Sequence, residues 1–333
     1  MYDLSSYLKK IDDVISKGPY SDNWHSLAEY KVPEWYKNAK FGIFIHWGVF
    51  SVPAFGSEWY PRNMYRKDSP EYRHHVEKYG NHAEFGYKEF IPMFKAEKFN
   101  PKEWAELFAD AGARYVVPVA EHHDGFQMYK SEISQWNSYE KGPCRDVLGE
   151  LKRACNSLGM EVGASSHRAE HWFFLDGGKE FDSDIKEPLR RGDLYWPSMP
   201  STEMHDIFSK PVPTEEYLQD WLVRTCEIVD LYRPKIIYFD GGFSTALLSL
   251  ILKNLPHTIT TVLMNGVPKL SSITSMTALC SALRFPMWKE VNLRRENRFS
   301  GKPIRRLLCI HGAIPRITFI AVPKIWFAIW WIL

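Results

Sequence analysis

The sequence predicts an α/β protein built on a parallel sheet, of the (β/α)₈ barrel type, and three observations favour this fold class. First, short apolar strands alternate with amphipathic helices along the first 243 of the 333 residues, which is typical of parallel sheets covered by helices. Second, polar side chains able to do chemistry follow the strands directly, as they do at the carboxyl ends of barrel strands. Third, no glycine-rich phosphate loop follows a strand, which disfavours dinucleotide-binding and P-loop folds.

The elements follow one another regularly after a polar, partly helical N-terminal segment at residues 1–33. The apolar run KFGIFIHWGVFS predicts the first buried strand. The next helix, at 100–112, has Asn100 as its N-cap and Gly112 as its stop. Residues 34–243 are therefore predicted to form about six βα units of an incomplete barrel. The remaining elements are a strand that runs into a polar loop at 114–126, a helix at 145–159, a strand followed by a polar loop at 160–172, a helix at 216–232 and a strand at 234–243.

The last 90 residues differ sharply in composition from the rest of the chain. Residues 244–333 carry 12 Lys and Arg against 2 acidic residues, a net charge of +10, whereas residues 1–243 carry 30 against 38, a net charge of −8. Residues 244–333 also contain no Asp, Tyr or Gln. One interpretation is a basic domain, such as a nucleic-acid arm, but the aromatic and basic residues are not interleaved as they are in single-strand binders.

We favour a second interpretation, which is an error in the reading frame near residues 243 and 244. Codon degeneracy allows the segment that starts at His257, HTITTVLMNGVPKLSSITSMT, to become YYYNRANEWGAEVVINYKYDG in a shifted frame. The shifted frame restores Tyr, Asp and Glu residues, which are absent or rare in residues 244–333 of the sequence. Residues 244–333 are therefore predicted to be an out-of-frame, poorly ordered tail, because such sequence carries no selected periodicity.

The overall composition excludes several kinds of partner. With 45% apolar residues, 25% charged residues and a net charge of +2, the chain is expected to be globular, with no general attraction for nucleic acids or membrane surfaces. Its five cysteines show no CxxC spacing, which disfavours a zinc ribbon and a disulfide framework. The first residues lack the apolar stretch of a signal peptide, so a cytoplasmic location is expected. The most apolar C-terminal stretch is too short to span a bilayer.

Asp240 ends the apolar run IIYFD and precedes two glycines. One interpretation is a carboxylate that caps the following turn. The other is a carboxylate nucleophile, which can attack the anomeric carbon of a sugar and hold it as an ester. The two glycines leave room for a sugar ring to approach.

Histidines and a further carboxylate follow the earlier strands. His46 ends the first strand, the adjacent pair His122 and His123 follows the second, and His167 and Glu170 follow the third. Neighbouring side chains of an extended strand point to opposite faces, so the pair is not expected to chelate one ion, and no metal site is predicted. A clamp for substrate hydroxyl groups fits these residues better. Nearby aromatic residues serve either as core or as a platform for sugar C–H faces; they are Trp47, Trp59, Tyr60, Phe126 and Trp172.

Three stretches of the chain resemble glycoside hydrolase family 29, the α-L-fucosidases. They are WYKNAKFGIFIHWGVFSVPAFGSEWYPRNMY at 35–65, FNPKEWAELFADAGARYVVPVAEHHDGFQMY at 99–129 and IIYFDGGF at 236–243. The resemblance covers about residues 20–243, and the first two motifs are long and specific. It implies a (β/α)₈-like catalytic domain and a retaining exo-α-L-fucosidase that acts on terminal fucosyl residues of an oligosaccharide or glycoconjugate. It also implies that no metal or organic cofactor takes part.

The resemblance places the family's functional residues one by one. It implies that Asp240 is the nucleophile. Its loop SSHRAEHW departs from better-known members, which makes His167 and Glu170 weaker assignments, and Glu121 stands where many members have Lys. The general acid/base of the family lies beyond the nucleophile, and no residue of 244–333 is assigned to it. The residues implied to bind the sugar are His46, Glu58, Trp59, His122, His123 and Tyr238.

Two alternatives to an active fucosidase remain open at this point. One is a non-catalytic fucose-binding remnant that retains His46, Glu58, His122 and His123. The other is a different barrel hydrolase, such as a metal-dependent one. Hydrolysis of an aryl α-L-fucoside distinguishes the enzyme from the remnant, and loss of activity on chelation would favour the metal-dependent hydrolase.

Overall fold

A computed structural model of the chain describes residues 3–20, 26, 29, 32–200, 213–239 and 316–321. Within these residues six strands form one sheet in the order β5-β4-β2-β1-β6, with β3 paired to β2. The strands are β1 (Phe41–His46), β2 (Tyr115–Glu121), β3 (Glu161–Val162), β4 (Ala164–Ser166), β5 (Ile237–Phe239) and β6 (Arg316–Ala321).

Strands β1 to β5 pair in parallel, and only β6 runs antiparallel, against β1. All seven residues of β2 are buried, as expected for a parallel strand that is covered on both faces. Gly42 of β1 lies opposite Tyr115 of β2, and a side chain at Gly42 would overlap the Tyr115 ring. The parallel, helix-covered sheet confirms the predicted α/β, barrel-like fold class.

The three helices for which the sequence predicts bounds are present, and their ends lie within two residues of the predicted ones. Asn100 Oδ1 accepts the backbone N–H groups of Lys102 and Glu103, and Asp146 caps its helix in the same way through Gly149. Such caps satisfy N–H groups that the first turn leaves without a partner. The described α-helices are α1 (Leu4–Lys17), α2 (Glu34–Ala39), α3 (Tyr60–Asn63), α4 (Pro70–Tyr79), α5 (Pro101–Asp110), α6 (Val147–Ser157), α7 (His171–Phe174) and α8 (Glu215–Tyr232).

The two faces of the sheet bury different residues. Ile43 and Ile45 of β1 belong to the main core with α5 and α6. Phe44, which points the other way, packs with Val117 and Tyr238 in a separate cluster. Since side chains alternate along a strand, His46 lies on the same face as Phe44, and the two rings are 4.7 Å apart. The face that carries His46 is therefore the one that positions the site.

The described part of residues 34–239 supplies fewer strands than expected. It contains four successive strand positions, at β1, β2, β3 with β4, and β5, where the sequence predicted about six units. Residues 47–114, between β1 and β2, fold instead into short α-helices, 3₁₀ turns and loops. Their longest regular elements are the helices α4 and α5.

The predicted out-of-frame tail is described only at β6. Those six residues are extended and pair along the whole of β1, from Phe41 opposite Ala321 to His46 opposite Arg316. The other residues of 244–333 lie outside the described part of the chain, so the expectation of a poorly ordered tail stays a prediction. Among the described residues, no helix is long and apolar enough to cross a membrane.

Candidate active site

Three imidazole rings meet at the carboxyl ends of adjacent parallel strands. His46 is the last residue of β1, His122 follows β2, and His167 follows β4. The ring centre of His167 lies 4.8 Å from that of His46 and 4.5 Å from that of His122. The structure thus brings together side chains that are 45 or more residues apart in the sequence, because parallel strands end at the same edge of a sheet.

His123 faces a different environment from its neighbour His122. Its ring stacks on Phe174 at 4.9 Å and packs against Trp59 at 5.5 Å. Its Nδ1 lies 3.0 Å from the carbonyl oxygen of His167. A carbonyl only accepts, so Nδ1 carries the proton and Nε2 of the neutral ring is an acceptor. As predicted, the adjacent pair does not converge on one point.

The buried histidines of this site are uncharged at neutral pH. Burial lowers the pKa of His122 and of His167 far below the ordinary value, and the neighbouring imidazoles lower both further. Burial also lowers the pKa of His123 to about 3, with a further contribution from His46. Each ring therefore offers one donor and one acceptor, which suits neutral hydroxyl groups better than anions.

Trp59 and Tyr238 lie beside the histidines, and Glu58 precedes Trp59 in the chain. Glu58 and Trp59 stand in the turn before α3, where both are partly exposed. Trp59 lies against His123 and against Phe174, at 5.3 Å from the latter. Tyr238 of β5 packs on Phe44 at 4.8 Å, on the same face of the sheet as His46. These contacts supply an apolar wall next to the imidazoles.

Glu170 lies close to the histidine pair. It closes a 3₁₀ turn, Arg168–Glu170, and its Oε2 lies 3.6 Å from Nδ1 of His123. Because His123 is neutral at physiological pH, this contact is a polar contact between an acid and a neutral ring rather than an ion pair. The structure therefore places both of the weaker assignments, His167 and Glu170, at the same site as the stronger ones.

Asp240 follows Phe239 directly in the sequence but lies outside the described residues, as does every residue of 244–315. The assignment of Asp240 as nucleophile therefore stays a prediction. Its strand, β5, pairs in parallel with β4 through Tyr238 and Ser165. Phe239, the described residue before Asp240, thus pairs with Ser166, which directly precedes His167.

A buried ionic network supports the loops of the site. Arg168 Nη1 lies 2.6 Å from Glu121 Oε1, and its Nη2 lies 2.7 Å from Asp220 Oδ2. Arg224 Nε lies 2.8 Å from Asp220, and its Nη1 lies 3.4 Å from Glu121. Two carboxylates and two guanidinium groups thus form a closed ring of contacts, which we call the Glu121 network. It ties the end of β2 to the Arg168–Glu170 turn and to α8.

Mutual compensation keeps the Glu121 network charged. Burial opposes ionisation of both Arg168 and Asp220. The adjacent carboxylates nevertheless raise the pKa of Arg168, and the two arginines lower the pKa of Asp220. Sequence analysis noted only that Glu121 replaces a Lys. It missed the two arginines because they lie 47 and 103 residues away along the chain.

Asp124 directly follows the histidine pair and is buried. Its Oδ2 accepts the Tyr87 hydroxyl at 2.6 Å, and its Oδ1 accepts the Phe126 backbone N–H at 3.0 Å. Burial raises its pKa to about 6. The next residue, Gly125, has φ of 79°, and a side chain there would collide with His171. The HHDG run therefore forms a tight turn that fixes the positions of both histidines, and the hydrogen bonds of Asp124 stabilise this turn.

A parallel α/β sheet that gathers neutral imidazoles and aromatic rings at its carboxyl edge is the arrangement of barrel-type enzymes. The family model for alpha-L-fucosidase matches residues 8–277, which is most of the chain. The chain therefore belongs to the α-L-fucosidase family. This match continues past Phe243, so the change in composition lies inside it, and the frame hypothesis stays a prediction.

Individual relatives agree with this assignment. The tissue α-L-fucosidase of Homo sapiens is 44% identical over 228 residues, which are 67% of this chain and 42% of that protein. The α-L-fucosidase of Dictyostelium discoideum is 31% identical over 245 residues, or 71% of this chain and 47% of that protein. The chain thus matches less than half the length of these relatives.

Solved structures show the same fold. The α-fucosidase of Thermotoga maritima in complex with fucose superposes with a TM-score of 0.56 and 32% identity, over 74% of this chain and 55% of that one. The same enzyme in complex with a mechanism-based inhibitor gives a TM-score of 0.54 and 34% identity, over 70% and 52%.

Proposed function

We propose that the chain carries the catalytic domain of a retaining exo-α-L-fucosidase that hydrolyses terminal fucosyl residues of oligosaccharides or glycoconjugates. The observation that carries the proposal is the meeting of His46, His122 and His167 at the strand ends, next to the strand that leads into Asp240. Membership of the α-L-fucosidase family supports the choice of sugar.

In the proposed reaction the Asp240 carboxylate attacks the anomeric carbon and the glycosidic bond breaks. The fucosyl group is then held as an ester on Asp240, and water releases it in a second displacement that restores the starting configuration. His46, His122 and His123 bind the sugar hydroxyl groups as hydrogen-bond partners. Trp59 and Tyr238 cover the apolar side of the ring, and Glu58 accepts a hydroxyl at the entrance.

The second carboxyl of the reaction is the open part of the proposal. A retaining enzyme places its two carboxyl groups about 5–5.5 Å apart, and the second donates a proton to the leaving oxygen. No described residue is assigned to this role. Proton donation contributes about 10²–10⁴-fold to the reaction rate. Because no donor is assigned, we expect this chain to cleave natural fucosides very poorly. An activated aryl fucoside needs little protonation, so it remains a substrate for attack by Asp240.

The test compares three forms of the full chain on an aryl α-L-fucoside and on a natural fucoside. Asp240→Asn should abolish release of the aryl group and any covalent adduct seen by mass spectrometry. Asp110→Asn, which changes an exposed carboxylate at the end of α5, is the matched control and should behave as the parent does. Aryl release by Asp240→Asn at the parent rate would overturn the assignment of the nucleophile.

A fucose-binding remnant is the second candidate, because the general acid/base is not assigned. It predicts that fucose binds through His46, His122 and His123 while neither substrate is turned over and no adduct forms. Calorimetric titration with fucose, run beside the activity measurement, separates the two functions. Restoring the predicted frame after residue 243 should recover hydrolysis of natural fucosides only if the chain is a damaged enzyme.

A further inference from the structure

The three imidazoles at the strand ends have a geometry that a sugar clamp does not require. One ring nitrogen from each of His46, His122 and His167 lies within 4.8 Å of the other two. The ligand nitrogens of a tetrahedral zinc ion, with Zn–N distances of about 2.0–2.1 Å, lie about 3.3 Å apart. The cluster therefore needs a movement of at most about 1.5 Å per ring pair to reach that spacing, which small side-chain rotations provide.

His122 stands out among the buried polar side chains. It is 2% exposed, and neither of its ring nitrogens has a hydrogen-bond partner among the described residues. Buried polar groups are normally hydrogen-bonded. The ring is held instead by aromatic contacts with Phe50 at 4.6 Å and with the other two histidines. Its nitrogens are thus available to a ligand that enters the cluster.

His167 has the kind of support that metal-binding histidines have. The Ser165 hydroxyl lies 3.2 Å from its Nε2. When Nε2–H donates to this hydroxyl, Nδ1 is left as the ligand atom, and such an outer contact fixes the orientation of the ring. The three histidines come from three strands, so their spacing in the sequence, at 46, 122 and 167, shows no metal motif.

We propose that His46, His122 and His167 bind one divalent transition-metal ion, such as Zn²⁺, Co²⁺, Ni²⁺ or Cu²⁺, and that this ion occupies the place of the sugar. Neutral imidazoles suit these metals, whereas Mg²⁺ and Ca²⁺ prefer oxygen ligands. Three histidines leave a coordination position for water. The ion acts as a competitor of the sugar, and no step of the proposed hydrolysis passes through it.

The first experiment titrates Co²⁺ into the full chain and follows the visible absorption of nitrogen-coordinated cobalt. We expect one equivalent to bind, excess Mg²⁺ to leave the spectrum unchanged, and Zn²⁺ to displace the cobalt. His46→Ala should weaken binding by more than the roughly 10–100-fold that loss of an outer partner costs. His74→Ala is the matched control, since His74 is a half-buried histidine that stacks on Phe55, away from the cluster. Absence of cobalt binding, or equal binding by His46→Ala and the parent, would overturn the proposal.

A second measurement uses the unaltered chain and so does not depend on a variant that folds. X-ray absorption at the zinc edge should give three imidazole nitrogens at about 2.0–2.1 Å. Fewer than three imidazoles would overturn the proposed ligand set. Both measurements are made without a fucoside, so a failure of the fucosidase proposal leaves them unaffected, while a failure of metal binding leaves hydrolysis to be judged by the Asp240→Asn comparison.

Discussion

Two buried polar clusters lie at the same end of the sheet and differ in how their polar atoms are satisfied. In the imidazole cluster of His46, His122 and His167, the rings of His122 and His167 are uncharged, and His122 has no hydrogen bond among the described residues. The Glu121 network is charged and closed, with four contacts between 2.6 and 3.4 Å. Both clusters sit on β2 and on the segment that follows β4.

This difference distinguishes a cluster that stabilises the fold from a cluster that can bind a ligand. A charged group removed from water is tolerated when opposite charges and hydrogen bonds compensate it. In the Glu121 network these compensating contacts lie between protein groups and hold the loops together. An imidazole whose nitrogens make no hydrogen bond, as in His122, contributes little to folding and can bind a ligand. The comparison therefore predicts opposite consequences when each cluster is altered, and the expected effects below run from the largest to the smallest.

Arg168→Met should give the largest loss of stability. It leaves Glu121 and Asp220 to share Arg224 alone, and removal of one partner of a buried ion pair costs about 3–5 kcal/mol. Urea unfolding measures the loss. Arg153→Met, on the exposed side of α6, is the matched control and should change stability by less than about 0.5 kcal/mol. Equal effects of the two substitutions would show that the Glu121 network is not a scaffold.

Acidification should unfold the protein through its buried neutral histidines. Burial lowers the pKa of His123 and His171 to about 3 and that of His75 to about 4, whereas an unfolded histidine titrates near 6.5. Between these values the unfolded state binds more protons, so stability is full above pH 6.5 and falls as the pH decreases, by at most about 1.4 kcal/mol per pH unit for each histidine.

Asp124 works in the opposite direction over part of this range. Its pKa, raised to about 6 by burial, makes stability fall as the pH rises from about 4 to 6. One such carboxyl offsets only one of the three histidines, so a net loss below pH 6.5 is expected. Urea midpoints measured between pH 7 and pH 5 check it, and a flat profile would contradict the assignment of neutral, buried rings.

Much of the fold and part of the site follow from the sequence. The helix at 101–110 is marked by its cap at Asn100, and the strands β1 and β2 by continuous apolar runs. The gathering of His46, His122 and His167 follows from parallel strands ending at one edge. These features depend on local residue patterns and on one general property of parallel sheets, which is why they are accessible without a structure.

What the sequence could not show depends on contacts between distant segments. The partners of Glu121, at Arg168 and Arg224, lie on two other elements and follow no spacing rule. His75 lies in a polar stretch of the sequence. It is nevertheless buried, and its Nε2 donates to the Phe85 carbonyl oxygen at 2.8 Å; its burial results from the packing of α4 against neighbouring aromatic rings, which no local pattern reveals.

The smallest expected effect gives the sharpest test of the comparison, because it contrasts two buried histidines. His122→Leu removes two nitrogens that make no hydrogen bond within the described residues, and leucine has a similar volume. Volume-conserving changes in a core cost less than about 1.5 kcal/mol. His75→Leu removes a ring that is hydrogen-bonded to the Phe85 carbonyl and leaves a buried acceptor unsatisfied, which adds about 1–3 kcal/mol.

We therefore expect His75→Leu to lose more stability than His122→Leu in urea unfolding, while only His122→Leu loses cobalt binding and the affinity for fucose. A larger loss of stability in His122→Leu than in His75→Leu would mean that His122 is part of the scaffold, and that its two nitrogens do not mark a binding site.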